Sequence, residues 1–279
     1  MDQLQLATFQ AVIAEGSFDA AAKVLHVTPP AVSQRIKALE QAVGQVLVRR
    51  TKPAVPTAAG ETLVRLAGQI ALLEREALDA VRGSTRTKIA VSVNADSLHS
   101  WFLPALATLP DLAFDLHQED EDYTTDLLRA GTVMAAVTTQ QVAVQGCRVE
   151  RLGAMRYLGV AAPETFTGFA TTPMVLFNRK DRLQHRFRAA VTHRTLDDPP
   201  IHYVPAAAAF GEAIRMGLGW GMVPEHLAGA GIAVGSLVEI APGHHLDVPL
   251  HWQCWRMESA ALTALTSAVR TAAAAALRP

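Results

Sequence analysis

Two cysteines in 279 residues, Cys147 and Cys254, are too few and too far apart for a disulfide scaffold or a metal knuckle. Reduced structural thiols are the default expectation, with a redox-sensing pair as the alternative. No uninterrupted apolar run is long enough to cross a bilayer, and the N-terminus lacks a basic-then-apolar signal pattern, so the chain is expected in the cytoplasm without a membrane partner. A glycine-rich phosphate loop, a metal-ligand cluster and a nucleophile elbow are all missing, which argues against an enzyme and against a cofactor. His244, His245 and His251 invite a metal reading, but Pro242, Gly243 and Asp247 around them look like a loop, and a solvated histidine pair is the expectation. Net charge is nearly absent too, at -1. With half the residues hydrophobic and 18% charged, the chain has an ordinary globular composition and enough length for two or three compact units.

That neutral total conceals a local excess. Residues 17–25 open with a capping serine, Ser17, and place Phe18, Ala21, Ala22 and Leu25 at helical spacing. A break at residues 26–30 follows, in which Thr28 can cap a new helix and Pro29 suits its first position. In that second helix Val32, Ile36, Leu39 and Val43 form an apolar stripe that must face the first helix, and Gly44 ends it. Its other faces carry Ser33, Gln34, Arg35, Lys37 and Glu40. Two short helices joined by a tight turn, the second with a polar outer face, fit the major groove of DNA.

Residues 46–57 then read as two short strands around a basic, proline-bearing turn, a wing. From residue 28 to 57 the cations are Arg35, Lys37, Arg49, Arg50 and Lys52, against the single acid Glu40. Phosphate neutralisation with counterion release requires such a patch. The candidate DNA contacts are Thr28, Pro30, Ser33, Gln34, Arg35 and Lys37 on the second helix, and Arg49, Arg50 and Lys52 on the wing.

The stretch "FDAAAKVLHVTPPAVSQRIKALEQAVGQVLVRR" with "PTAAG" resembles the DNA-binding domain of LysR-type transcriptional regulators. The resemblance implies a winged helix-turn-helix, a linker helix and a C-terminal effector domain similar to periplasmic binding proteins. It also implies duplex promoter DNA as partner, a homodimer or dimer of dimers, and RNA polymerase as a further partner at the nucleoid.

Between residues 58 and 81, Leu63, Leu66, Ile70, Leu73 and Ala77 alternate spacings of three and four, a coiled-coil seam that a second copy would complete. Residues 82–88 have the composition of a loop.

Beyond Lys88, apolar strand-like runs at 89–93, 114–119 and 135–138 alternate with helical patterns, which argues for a parallel sheet with ligands at the strand C-terminal ends. A similar unit follows from 163 to 237, and the chain returns through 237–240 and 249–255 to a final helix over 259–277. The overall expectation is α/β: a DNA-binding domain over 1–58, a linker over 59–87, and a two-lobed effector domain over 88–279. Lobe I spans 88–162 and 238–279, and lobe II spans 163–237.

Asn94, Asp96 and Ser97 stand where a strand hands over to a helix, so they either cap it or touch an anion such as an amino-acid carboxylate. Thr138 and Thr139 end the third strand. Trp220 among its glycines reads as a packed turn. Between Asp111 and Asp126 there are seven acids and no lysine or arginine, a solvated face in the first instance. Glu119 or Asp120 at a strand end could still pair with a cationic head. The segments "SVNADSLHSWFLPAL", "FNRKD" (with Phe177 and Asn178) and "VPAAAAFGEAIRMGLGWGMVPE" resemble the ArgP/LysG branch, described as inhibitors of chromosome initiation. That branch implies a basic amino-acid effector, lysine or arginine, and control of basic amino-acid export or metabolism. Two competing readings are a chromosome-architectural or origin-binding protein without small-molecule control, and an enzyme with a DNA-binding appendage.

Overall fold

The computed structural model describes all residues except 83–86, 119–123 and 195–196. The chain begins with α1 (Gln3–Glu15), α2 (Phe18–Val24), α3 (Pro29–Val43), β1 (Val48–Arg49), β2 (Val55–Pro56) and α4 (Ala58–Arg82). Next come β3 (Thr87–Val93), α5 (Ala95–Ser97), a π turn (Leu98–Phe102), α6 (Leu103–Ala107), β4 (Leu112–Gln118), α7 (Thr124–Arg129) and β5 (Ala135–Thr138). The remainder is β6 (Cys147–Ala161), β7 (Met174–Leu176), α8 (Leu183–Thr192), β8 (Ile201–Tyr203), α9 (Ala207–Arg215), β9 (Gly221–Pro224), α10 (Glu225–Ala233), β10 (Val238–Glu239), β11 (His245–Trp255) and α11 (Ala260–Ala276).

Two compact units divide the chain. The first comprises Met1–Val93, Leu109–Glu150 and Trp252–Ser267; the second comprises Asn94–Thr108, Arg151–His251 and Ala268–Pro279. In the first unit the local signals act as the sequence dictates. Ser17 Oγ accepts from the Ala20 amide, Thr28 Oγ1 accepts from the Ala31 amide, and Gly44 closes α3 in the left-handed region at φ 77°. Val32, Ile36 and Leu39 are fully buried with Phe9 and Val12 of α1, Leu47 before the wing, and Val64 and Ala67 of α4. One apolar cluster thus fixes the head to the start of the linker. Val43 departs from the expected stripe: it is 37% exposed, because the last turn of α3 runs past the helices it packs on. The helix α1 carries no sequence-level expectation, although Asp2 and Gln5 cap it reciprocally.

The same unit carries β3 in parallel register with β4 (Val91 opposite Leu116) and with β5 (Val91 opposite Ala135). On α4, Val64, Ala67 and Leu72 are buried against the chain itself. The expected seam is divided: Leu63 and Ile70 are half-buried and pack against the head cluster, Leu66 is half-buried, and only Leu73 and Ala77 of the five are exposed.

In the second unit β6 pairs antiparallel with β9 and β10, and β7 lies parallel to β8. Trp220 is fully buried, edge-on to Phe169 at 5.2 Å and near Phe187 at 6.2 Å, so it is the packed turn expected of it. His244 and His245 are exposed, whereas His251 is buried within β11 and not in a loop. His245 and His251 share a face of β11, and His251 is buried because the strand is covered on both faces from Leu250 onward. Among the described residues no cluster of His, Cys, Asp and Glu has metal-ligating geometry, and no helix is long and apolar enough to cross a membrane. Cys147 and Cys254 are both free and buried, and burial beside Cys254 pushes the Cys147 thiol up to about 12.

Candidate nucleic-acid interface and effector pocket

The winged head presents most of the predicted contacts to solvent. Thr28, Pro30, Gln34, Lys37, Arg49, Arg50 and Lys52 are exposed, and Ser33 and Arg35 are half-buried. Arg35 leans inward, its guanidinium 3.4 Å from the Thr8 hydroxyl of α1. Arg50 lies with its guanidinium 4.9 Å above the Phe18 ring, a cation–π contact that holds the wing's base against α2. The wing itself is the antiparallel pair Val48 with Pro56 and Arg49 with Val55.

Glu40 has a role that sequence reasoning missed. Its carboxylate accepts from the Leu47 amide at 2.8 Å and the Val48 amide at 3.3 Å. The sole acid of residues 28–57 is therefore turned toward the start of the wing and aims it. The exposed cations of α3 and the wing are left to face an anion. Helix, turn, helix and basic wing together make a duplex-binding surface.

A candidate effector pocket lies wholly within the second unit. Asp96, half-buried on α5, accepts a 2.8 Å hydrogen bond from the Tyr157 hydroxyl of β6. Its carboxyl is pushed above its ordinary value, chiefly by burial and further by the charge of Asp181, against the opposing pull of Tyr157 and His99. Asp181 is held in place by the Phe177 amide at 2.9 Å and the Leu183 amide at 3.0 Å. Asn178 shapes the same loop, its side-chain oxygen accepting from the amides of Lys180 and Asp181. Among the described residues no lysine or arginine pairs with Asp96. The carboxylate does not cap α5; it is turned to Tyr157. The Ser97 hydroxyl beside it is buried without a partner among the described residues.

Asp96 opens onto a cavity of about 250 Å³. Its walls are apolar at Phe210, Val223 and Leu237, and Glu212, Arg215 and His99 stand at its polar edge. Arg215 and Glu212 are ion-paired. Ala207 and Ala208 also line the cavity, at the start of α9, whose N-cap residue Ala206 has no side-chain cap. A free helix N-terminus of this length favours an anion, and Asp96 favours a cation.

Of the predicted effector residues, Asn94, Asp96, Ser97, Phe177 and Asn178 belong to the second unit, and Asp96 lines the cavity. Thr138 and Thr139 belong to the first unit, Thr138 being buried at the end of β5. Glu119 and Asp120 lie outside the described residues. Of the other acids in that run, Asp115 pairs with Lys88 at 2.7 Å and Asp126 with Arg129, both on the surface.

The family model for the bacterial regulatory helix-turn-helix protein, lysR family, matches residues 4–61, and that for the LysR substrate binding domain matches residues 82–278. The chain belongs to the LysR family of regulators. It is 48% identical to the HTH-type transcriptional regulator LysG of Mycobacterium tuberculosis, over 98% of this chain and 94% of that protein. It is 43% identical to the lysine export transcriptional regulatory protein LysG of Corynebacterium efficiens, with both chains fully covered. Full-length LysG of Corynebacterium glutamicum, solved with bound effector arginine, is 40% identical and superposes with a TM-score of 0.81, again with both chains fully covered. These likenesses place the LysR-type regulator in the ArgP/LysG branch expected from its sequence.

Proposed function

We propose that this LysR-type regulator responds to a basic amino acid, lysine or arginine, and controls the export or metabolism of such amino acids. The observation that carries this reading is Asp96: a half-buried carboxylate that no lysine or arginine pairs with among the described residues, on the lining of a small cavity whose Arg215 is already paired with Glu212. A cationic head supplies the missing charge, and the methylene stem behind it suits the wall of Phe210 and Leu237. The α-carboxylate suits the uncapped start of α9. At about 250 Å³ the cavity falls below the usual range of small-molecule sites, roughly 300–1,000 Å³. That favours a single amino acid over a larger compound. The arginine-bound LysG of Corynebacterium glutamicum and the lysine-export regulator of Corynebacterium efficiens support the same ligand class.

The DNA contacts are Thr28, Pro30, Ser33, Gln34 and Lys37 in the major groove and Arg49, Arg50 and Lys52 on the wing, with Arg35 steadying α3. The exposed seam at Leu73 and Ala77 serves a homodimer or dimer of dimers, acting in the cytoplasm without a cofactor. The domain boundaries after residues 58 and 87 stand as part of this reading. Ligand that favours one arrangement of the effector domain shifts the geometry imposed on DNA.

A thermal-shift screen of the twenty amino acids tests the ligand. Lysine or arginine raises the melting temperature in this account. Stabilisation by neutral or acidic amino acids alone overturns it.

A further inference from the structure

The C-terminal helix α11 has no acidic residue in its own first turn, so nothing within it answers the positive end of its dipole. The answer comes from the linker helix. Glu76 of α4 accepts a hydrogen bond from the Ser259 hydroxyl and a second, 3.0 Å long, from the Ala261 amide. Ser259 is only 3% exposed, and its oxygen in turn accepts from the Leu262 amide at 3.0 Å. The first turn of α11 is thus capped jointly by its own serine and by a carboxylate 183 positions earlier in the chain.

Two more contacts seat the same helix. The Arg65 guanidinium lies 5.9 Å from the ring of Trp255, the last residue of β11, and the Trp255 indole N–H donates to the Val133 carbonyl. Gly131, at φ 69°, brings its backbone so close to α4 that a Cβ there would stand 2.8 Å from the Arg65 nitrogen. Along the length of α4, Arg65 and Glu76 are three turns apart, so the helix is held at two separated points and not at a pivot.

We propose that Glu76 is a positioning residue: it fixes the direction of the linker helix, and with it the DNA-binding head, on the effector domain. The same apolar cluster that welds α1 and α3 to Val64 and Ala67 carries that direction to the recognition helix. A shift of α11's first turn or of the end of β11 therefore moves the head, and the capping contact sets how far. This role does not depend on the identity of the effector.

The test is the bend that the full-length protein imposes on the DNA fragment it retards most strongly, with no amino acid added. It is read by energy transfer between the fragment's ends for the wild type, Glu76→Gln, Glu76→Ala, and Glu76→Ala combined with Ala260→Glu. Ala260 is exposed at the first position of α11, so a glutamate there restores the dipole partner without tying α11 to the linker. In Glu76→Ala the amides of Ala261 and Leu262 exchange hydrogen at least about tenfold faster and the bend changes. Glu76→Gln keeps both properties, since an amide oxygen still accepts. The double variant recovers slow exchange and keeps the altered bend. A wild-type bend in Glu76→Ala, or a bend restored by the double variant, reduces Glu76 to a local cap and overturns the proposal.

Discussion

The Tyr157 hydroxyl donates to the Asp96 carboxylate at 2.8 Å, from a strand position 61 residues away, and no basic side chain among the described residues completes the pair. A carboxylate in this state is held by one neutral donor while burial and Asp181 act against its charge. Asp96→Asn therefore leaves the unliganded protein as stable as the wild type or more so at neutral pH, and abolishes stabilisation by lysine and arginine. Tyr157→Phe weakens the response without removing it. Melting curves with and without each amino acid check both. A full arginine response in Asp96→Asn places the cationic head elsewhere.

The same carboxyl gives a pH dependence whose sign is fixed. Its folded-state value is raised, so its contribution to stability is greatest in acid and is lost as pH climbs through the raised value. A cationic ligand binds the ionised form, so its affinity runs the opposite way and increases as pH climbs from the ordinary carboxylate range through the raised value. Arginine titrations across that range show affinity falling on acidification in the wild type and a flatter profile in Asp96→Asn.

Lys52 on the wing turn is exposed and answers to phosphate. Lys52→Ala weakens binding to all DNA sequences alike and lowers the slope of log K against log salt by about 0.9, the increment for one phosphate contact. Gln34→Ala, on the outer face of α3, instead reduces discrimination between the preferred fragment and competitor DNA. Retardation assays over a salt series separate the two. A wild-type salt slope in Lys52→Ala refutes the wing assignment.

Glu40 aims the wing through the amides of Leu47 and Val48. Glu40→Ala leaves both donors without their acceptor and costs about 1–3 kcal/mol of stability. It also removes a negative charge near the DNA face. Urea denaturation therefore shows loss of stability, and DNA binding falls despite the more positive head, because the wing loses its direction. Tighter binding would show that Glu40 acts only as a repulsive charge.

The head was the legible part of the sequence. Ser17, Thr28, Pro29 and Gly44 act through their own backbone, so local residues dictate where α2 and α3 begin and end. The alternation of β3, β4, β5, β7 and β8 with helices was legible for the same reason. The strand β6 was not: its 15 residues mix Gly153, Arg148, Glu150, Arg151 and Arg156 with apolar positions, and period two is lost along it. With β6 unseen, Tyr157 could not be paired with Asp96. The contacts of Asp96 with Tyr157, Glu40 with the wing amides, and Glu76 with α11 join positions with no common period, and the wall of Phe210 and Leu237 arises where α9 and the residue before β10 enter one apolar cluster. Asp96 was singled out, as a helix cap or an anion contact, because a strand-to-helix junction is a ligand position on general grounds.

The central claim is that one chain grips duplex DNA through α3 and its wing and alters that grip when a basic amino acid binds. Footprinting of the purified protein on its preferred chromosomal fragment, with and without lysine or arginine, tests it most directly. The account predicts a protected region at moderate ionic strength whose extent or hypersensitive positions change with lysine or arginine and not with neutral amino acids. A footprint indifferent to every amino acid, or protection without preference for any fragment, would contradict it.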